Sequence, residues 1–312
     1  MAAPLMRYII MYDIIIVGAG PAGLTAAIYA RRADKSVLVL ERGTFGGQIT
    51  YSPRIENYPG FNEISGNELA EKLMEQAMNL GAEIEMTEVL GVDNSGTFFT
   101  VRSDDGDYMA KSVIIATGSK HRQLELDREE EFIGNGISFC AVCDGAFYAG
   151  KTIAVIGGGN SALVEAVMLS DIAAKLYIIQ NLDFLTGEEK LQSILRGKKN
   201  VEIICGTVVD SYLGGDELNG LIIKDVNTGD KTRLDLDGVF IAIGQIPENE
   251  IFKNLLDLTD RGYVDADERC LTKTKGLFVA GDCRNKFIRQ ISTAASDGAI
   301  AALAACRYID DN

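Results

Sequence analysis

The sequence has no tryptophan, one histidine and five prolines. It carries 30 Lys and Arg against 45 Asp and Glu, a net charge of −15. Each shortage excludes something. A chain this acidic is a poor nucleic-acid binder, because phosphate contacts need clustered Lys and Arg. One histidine, His121, leaves no His-rich metal site and argues against a Ser-His-Asp hydrolase. It stands in Lys120-His121-Arg122 and reads as a solvated basic spot. No apolar run reaches the roughly 18 residues of a membrane span, and the longest near the start, Tyr8 to Val17, is broken by Asp13. No charged, apolar and small-residue pattern marks a signal peptide. The expectation is a cytoplasmic protein with no membrane and no nucleic-acid partner.

What is present is ordinary for a soluble globular chain: 312 residues, 47% hydrophobic, with 33 glycines. The length favours two domains. Six cysteines occur, at 140, 143, 205, 270, 283 and 306, and only the first two are close. Scattered cysteines fit a reduced compartment rather than a disulfide scaffold. Residues 1–10 carry no motif and read as a loose extension.

The pattern along the chain is strand, glycine turn, helix, strand. Tyr12 to Val17 reads as a fully buried parallel strand, followed by Gly18-Ala-Gly-Pro-Ala-Gly23. Leu24 to Arg32 is helical in character, and Ser36 to Leu40 is a second apolar strand ending in Glu41. The unit recurs about 140 residues later: Thr152 to Ile156, Gly157-Gly-Gly-Asn-Ser-Ala162, a helix from Leu163 to Ile172, and a strand from Leu176 to Ile179. More strands are expected at Phe98–Arg102, Val113–Ala116, Val201–Ile204, Val239–Ile243 and Leu277–Asp282. An Ala-rich helix is expected over Ile291–Tyr308. This predicts an α/β protein with two Rossmann-like domains, hinged near Ser119 and Gln245.

Gly18, Gly20 and Gly23 fit G-x-G-x-x-G. The first glycine permits the turn, the second admits a pyrophosphate, and the third lets helix and strand pack closely. The phosphates then meet unpaired N–H groups at the helix start. Glu41 follows where a carboxylate accepts from ribose hydroxyls. Strand, helix and acid coincide, so dinucleotide binding is favoured over a merely structural turn. The motif alone does not separate FAD from NAD.

The second motif, Gly157, Gly159 and Ala162, lacks the matching acid. Counting on by the same interval arrives at Gln180. NADP would want an arginine nearby for its 2′-phosphate. Between Lys175 and Lys190 there is no Lys or Arg, only Asp183, Glu188 and Glu189 among charged residues. The turn is expected to persist for packing, with NADPH recognition lost. NADH stays open, since Gln180 can hydrogen-bond a ribose.

Cys140-Ala-Val-Cys143, followed by Asp144, can close a small disulfide loop. A thiolate at a helix start is stabilised and exchanges fast. Zinc is the alternative, but no second Cys pair or His pair exists, so no metal is expected. Asp144 is either a proton shuttle for a departing thiolate or a helix cap. The other four cysteines read as small buried residues, with Cys283 watched because it follows Gly281-Asp282.

Together the motifs resemble the low-molecular-weight thioredoxin reductases over nearly the whole chain. The matching segments are the two glycine turns, Gly46-Gly-Gln48, Ile55-Glu-Asn-Tyr-Pro-Gly60, Ala116-Thr-Gly118, Cys140-Ala-Val-Cys-Asp144, Gly281-Asp282 and Arg289-Gln290 onward to Ala295. The resemblance implies an FAD domain from residues 1–118 and 246–312, with a redox-disulfide domain of 119–245 inserted. It implies a homodimer and rotation of the inserted lobe. Cys143 would face the flavin, Cys140 would attack the partner disulfide, and Asp144 would be the acid. The cofactor set is Gly18, Gly20, Pro21, Ala22, Gly23, Glu41, Arg42, Gly47, Gln48, Asn57, Ala116, Thr117, Gly118, Gly281, Asp282, Arg289, Gln290 and Ile291.

One departure bears on the electron donor. NADPH-dependent members carry a His-Arg-Arg segment and a further Arg where this chain has Gln180-Asn-Leu-Asp-Phe-Leu185. That is similar to the ferredoxin-dependent flavin thioredoxin reductases. The expected function is reduction of thioredoxin by FAD and the Cys pair, with ferredoxin as donor. Because ferredoxins are usually acidic, docking would need a basic patch; Arg196-Gly-Lys-Lys199 and Lys120-His-Arg122 are the candidates. Rivals are an NAD(P)H-dependent thioredoxin reductase with an atypical pocket, a flavin-dependent dithiol oxidase, and a non-catalytic flavoprotein. The intact Cys pair argues against the last, and against the related ferredoxin–NADP reductases.

Overall fold

The run Met11–Val17 is apolar on both faces apart from Asp13, and both faces are covered. In the computed structural model, which describes residues 11–312, it is a central strand. Parallel neighbours flank it: Val37–Glu41 on one side and Gly106–Ile115 on the other. The expected extension at residues 1–10 lies outside the described residues. The sheet continues outward through Glu83–Met86, parallel to Val37–Glu41. At the other side Phe99–Ser103 and Val89–Asn94 add antiparallel, and Leu277–Val279 pairs parallel with Gly106–Ile115.

The chain forms two compact units. Among the described residues, one holds 11–120 and 246–312, and the other holds 121–245. In the first, two helices pack tightly on one face of the sheet. Pro21–Arg32 starts with proline at its first position, where the missing N–H costs nothing. It packs against the 20-residue helix Ile291–Asp310 through small residues. A Cβ added at Gly298 would sit 2.1 Å from the Ala22 carbonyl oxygen, so only glycine admits this approach. The residues between form a core of Ile14, Ile16, Leu24, Ala26, Ala301 and Ala305 with their neighbours. The opposite face packs on Phe252, Leu256 and Val264.

A salt-bridge cluster is buried beside this core. Arg284 and Asp297 are each 2% exposed. Asp297 accepts from Arg284 Nε at 2.8 Å, Arg284 Nη2 at 2.9 Å, Lys286 Nζ at 2.9 Å and the Gly281 N–H at 3.0 Å. A buried pair with this many hydrogen bonds fixes geometry more than it adds stability.

The second unit repeats the theme. Thr152–Ile156 lies between parallel strands Lys175–Ile179 and Gly238–Ile241, with Val201–Ile204 and Ile137–Ser138 outside them. The helix Asn160–Ser170 covers one face. A three-stranded antiparallel sheet, Thr207–Gly214, Leu218–Asp225 and Lys231–Asp235, adds to the core on the other. No helix among the described residues is long and apolar enough to cross a membrane.

His121 departs from its expected role as a solvated spot. Its ring stacks on Phe139 at 4.7 Å, and burial pushes its pKa down to about 4, so it is neutral at pH 7. The sequence could not show this, because the aromatic partner lies far along the chain.

The Gly298 contact sets a stability test. Gly298→Val should destabilise the protein by at least about 2 kcal/mol, as overpacking against backbone does. Urea unfolding would read this as a lower midpoint; an unchanged midpoint would disprove the close approach.

Candidate functional site

Two sites emerge, one in each unit. In the first, the turn after Met11–Val17 is held by backbone contact. A Cβ at Gly18 would meet the Ala116 carbonyl oxygen at 2.4 Å, and one at Gly23 would meet the Gly18 carbonyl oxygen at 1.9 Å. A Cβ at Gly20 would meet only the Gly46 carbonyl oxygen, at 3.9 Å, so the space before Gly20 is open. Gly20 caps the helix without a side chain, and no acid occupies its first turn. The free N–H groups of that turn therefore face outward beside a gap, which suits a pyrophosphate.

Glu41 ends the second strand. Its Oε2 accepts the Ala19 N–H at 2.8 Å and its Oε1 accepts the Gly43 N–H at 2.8 Å. The carboxylate thus braces the glycine turn while each oxygen keeps a lone pair. Gly18, Glu41, Arg42 and Thr117 line a cavity of about 70 Å³. Sequence reasoning missed three of its other walls: Thr87, Glu248 and Phe252. Arg42 bonds Glu248, which no local spacing announces.

The remaining members of the set fall partly at the same turn and partly at the start of the helix Ile291–Asp310. The Gly46 N–H bonds the Ala19 carbonyl at 2.9 Å, which brings Gly47 and Gln48 beside the first glycine turn. Ala116 continues the strand end that packs on Gly18, and its N–H donates to Val17 O at 2.8 Å. Asn57 Nδ2 donates to Gln290 Oε1 at 3.2 Å. Gln290 caps the helix that begins at Ile291, and its N–H is accepted by Thr293 Oγ1 at 3.1 Å. Arg289 lies over the Tyr263 ring at 4.2 Å. Gly281 has φ +81°, and Asp282 follows in a short turn. Pro21, Ala22 and Gly23 form the first turn of the helix, and Gly118 has φ +68°.

Asp282 is the informative one. Its Oδ1 is buried and accepts no hydrogen bond within the chain, its nearest cation being Lys286 Nζ at 3.9 Å. Burial pushes its pKa up to about 6, opposed by Lys286 and Arg289. A buried carboxyl oxygen usually has a donor; here the donor fits a ligand hydroxyl. The open glycine turn, the braced Glu41 and this oxygen all fit a flavin dinucleotide.

In the second unit, Cys140 and Cys143 are joined as a disulfide, with Cα atoms 5.3 Å apart. Cys140 is the N-cap of the short helix Ala141–Asp144, and its Sγ accepts the Cys143 N–H at 3.2 Å. Asp144 ends that helix. Its Oδ2 accepts from Ser138 Oγ at 2.6 Å, its Oδ1 is buried without a partner, and burial raises its pKa. It is therefore not a cap for the helix start. The other cysteines are thiols. Cys270, Cys283 and Cys306 are buried, but Cys205 is only half-buried, against expectation. Burial pushes the Cys283 thiol up to about 11, so it is unreactive near neutral pH.

The second glycine turn is also backbone-packed: a Cβ at Gly157 would meet the Ala242 carbonyl oxygen at 2.6 Å. Gln180 is buried and folds over this turn; a Cβ at Gly158 would lie 2.7 Å from its Cδ. The Thr186 and Gly187 N–H groups donate to the Gly158 carbonyl at 2.8 and 2.9 Å. Asn160 Oδ1 accepts the Glu188 N–H at 2.7 Å. The segment beside the turn is thus polar and acidic, with Leu182 and Phe184 exposed. Arg196 is committed to Glu189 at 2.7 Å. Lys198 bonds Asp171, and Lys120 pairs with Glu248 at 3.2 Å. The two candidate basic patches are therefore partly neutralised by their own neighbours.

Comparison with known proteins follows the same lines. Residues 12–298 match the family described as pyridine nucleotide-disulphide oxidoreductase. A Clostridium pasteurianum protein described as a 34.2 kDa protein in the rubredoxin operon is 43% identical over 298 residues, covering 95% of this chain and 97% of that protein. Thioredoxin reductase of Bacillus subtilis is 40% identical over 302 residues, covering 96% of each. The thioredoxin reductase structure from Streptococcus pyogenes superposes with a TM-score of 0.93 at 40% identity, over 97% of this chain and 99% of that one. A ferredoxin-flavin thioredoxin reductase from Clostridium acetobutylicum gives a TM-score of 0.53 at 31% identity, over 97% and 99%. Overall likeness is thus greater to proteins named simply thioredoxin reductase. Sheet, glycine turns, paired cysteines and these relatives agree: the chain belongs to the pyridine nucleotide-disulphide oxidoreductase family, among its low-molecular-weight thioredoxin reductases.

Proposed function

We propose that this chain is a flavoprotein disulfide reductase that uses FAD and the Cys140–Cys143 pair to reduce thioredoxin, with reduced ferredoxin as electron donor. The relatives named thioredoxin reductase support the substrate. The donor is carried by one observation: the surroundings of the second glycine turn. A 2′-phosphate carries two negative charges and is bound by guanidinium forks. Here Gln180 lies over the turn, Asp183, Glu188 and Glu189 are the charged residues that follow, and Arg196 is held by Glu189. The chemistry that would hold NADPH is missing while the turn itself is retained by packing.

A bound FAD would supply a store that takes electrons singly and gives them up in pairs. Around it, Glu41 and the helix start after Gly20 would hold the ribose and pyrophosphate. Asp282 Oδ1 would accept from a ribityl hydroxyl. The Cys140–Cys143 disulfide takes two electrons and two protons to become two thiols. Cys140, as thiolate, attacks the partner disulfide; an S–S bond forms to one partner sulfur while the other leaves with its electron pair and takes a proton. Cys143 then attacks Cys140, restoring the disulfide and releasing the second partner thiol. Asp144, whose pKa burial raises, sits one residue from Cys143 and would serve to protonate a departing thiolate. We place the enzyme in the cytoplasm as a homodimer; the four thiol cysteines support a reducing compartment and family likeness supports the dimer.

Three measurements test this. Under anaerobic conditions, reduced ferredoxin should bleach the flavin absorbance and NADPH should not; rapid bleaching by NADPH overturns the donor. Cys140→Ser should lower thioredoxin reduction to below about 1% of the parent and leave flavin reduction by the donor intact; retained turnover refutes its role. Asp144→Asn keeps an acceptor for Ser138 but carries no acidic proton, so turnover should fall about 10²-fold. Steady-state assays with thioredoxin read this, and an unchanged rate removes Asp144 from proton transfer.

A further inference from the structure

The buried salt-bridge cluster of the first unit is unevenly charged around Asp297. That one carboxylate serves two cations. Arg284 gives it two hydrogen bonds, at 2.8 and 2.9 Å, and Lys286 Nζ gives it another at 2.9 Å. The side chains of Arg284, Lys286 and Asp297 are each 5% exposed or less. One negative charge offsets one positive charge, so a positive charge is left over where water is excluded. Glu268 also bonds Arg284, at 3.0 Å, but its side chain is 87% exposed and water weakens its pull. A buried charge without a counter-charge is costly. The carboxylate placed to supply one is Asp282, whose Oδ1 lies 3.9 Å from Lys286 Nζ.

That distance is too long for a hydrogen bond, and Oδ1 accepts none within the chain. Asp282 therefore feels the ammonium without being used up by it. Its side chain keeps 30% of its area open, so a ligand can still reach it. Two effects compete on this carboxyl. Burial favours the neutral acid and pushes its pKa up to about 6, while Lys286, then Arg289, pull it down. Asp297 adds a smaller upward push and Arg284 a smaller downward one. Arg289 lies over the Tyr263 ring, and its Nε donates to the Asp282 backbone carbonyl at 3.5 Å. The neighbouring thiols stay neutral: burial pushes Cys283 up to about 11, and Cys270, which donates to the Asp297 carbonyl at 3.6 Å, up to about 12.

We propose that Lys286 is a positioning residue for the cofactor site: Asp297 pins its ammonium beside Asp282, and that charge keeps Asp282 an anion able to accept a hydroxyl of the bound flavin dinucleotide. The proposal rests on the reading of Asp282 as a cofactor residue. Replacing Lys286 need not untie the segment. Arg284 and the Gly281 N–H keep their own bonds to Asp297. What is lost is the positive charge nearest Asp282. Removing a positive neighbour raises a carboxyl's pKa, so Asp282 would take up its proton at a higher pH. As an acid it offers a donor where the anion offers acceptors, and cofactor affinity falls.

The test uses the full-length, FAD-bound protein with Lys286→Gln, which keeps a donor for Asp297 without charge, and Lys286→Met. Each is diluted at pH 5 to 9, and FAD released through an ultrafiltration membrane gives the dissociation constant. In the parent, affinity should fall as pH drops through about 6. In both variants the midpoint should move up by about one unit, making binding about 5-fold weaker at pH 6 yet within about 2-fold of the parent at pH 9. Asp282→Asn should bind FAD more weakly with no such midpoint, and adding Lys286→Gln to it should not restore one. A Lys286→Gln profile that superimposes on the parent overturns the proposal. So does a loss of the same size at every pH, which marks a merely structural role. An Asp282→Asn profile identical to the parent's overturns Asp282 as the anion concerned. A parent that retains no FAD at any pH would instead overturn the flavin reading itself.

Discussion

Backbone in contact with backbone at the two glycine turns is the constraint from which the rest follows. At Gly18 and at Gly157 the carbonyl of a neighbouring strand end, Ala116 or Ala242, occupies the place a side chain would take. Each turn therefore brings a helix start to the carboxyl end of a parallel strand, at the edge where open α/β sheets bind ligands. This packing is needed whether or not a nucleotide binds. It explains how one motif persists in two units whose surroundings differ. The ligand chemistry is decided at the end of the following strand. There Glu41 braces the first turn and keeps lone pairs for a ribose, whereas Gln180 lies over the second turn.

A second layer of order holds the far side of the first unit. The Asp297 carboxylate is used up by Arg284, Lys286 and the Gly281 N–H. These bonds tie the segment from Gly281 to Lys286 to the long C-terminal helix. Asp282 projects from that tethered segment with one buried oxygen that accepts no hydrogen bond within the chain and has only Lys286 Nζ at 3.9 Å as an ionic neighbour. The buried charges are costly on their own, but together they hold a carboxylate at a set position. Preorganisation of this kind lowers what a ligand must spend on ordering its site.

Much of this was legible in the sequence, and the limits are physical. The fold class was readable because parallel buried strands appear as continuous apolar runs, as in Ile14–Val17 and Ile153–Ile156. Element ends were less so. The helix expected from Leu24 begins at Pro21, because motif residues also serve as its first turn. The strand expected to run to Asp282 stops at Val279, where a tight turn takes over. The cysteine pair and the glycine turns announced themselves by spacing. Glu248, Asp297 and the Phe139 face under His121 did not. Each acts on residues brought near only by packing between separate elements, and no local period encodes such a meeting.

The surroundings of the cysteine pair also bear on the direction of its chemistry. A disulfide whose reduced form is stabilised is a strong oxidant. Here the pair lies beside Asp144, whose pKa burial raises. That carboxylate, when ionised, disfavours a neighbouring thiolate, so the reduced state gains little from its setting. A thiolate at Cys140 would be stabilised by the Cys143 N–H, at the start of a helix four residues long. A dithiol held this way passes its electrons on readily to a disulfide of higher potential. That bias is what a reductase needs and what an oxidant of dithiols does not, so the electrostatics of the second unit and the acidic strip beside its glycine turn support the same reading from different residues.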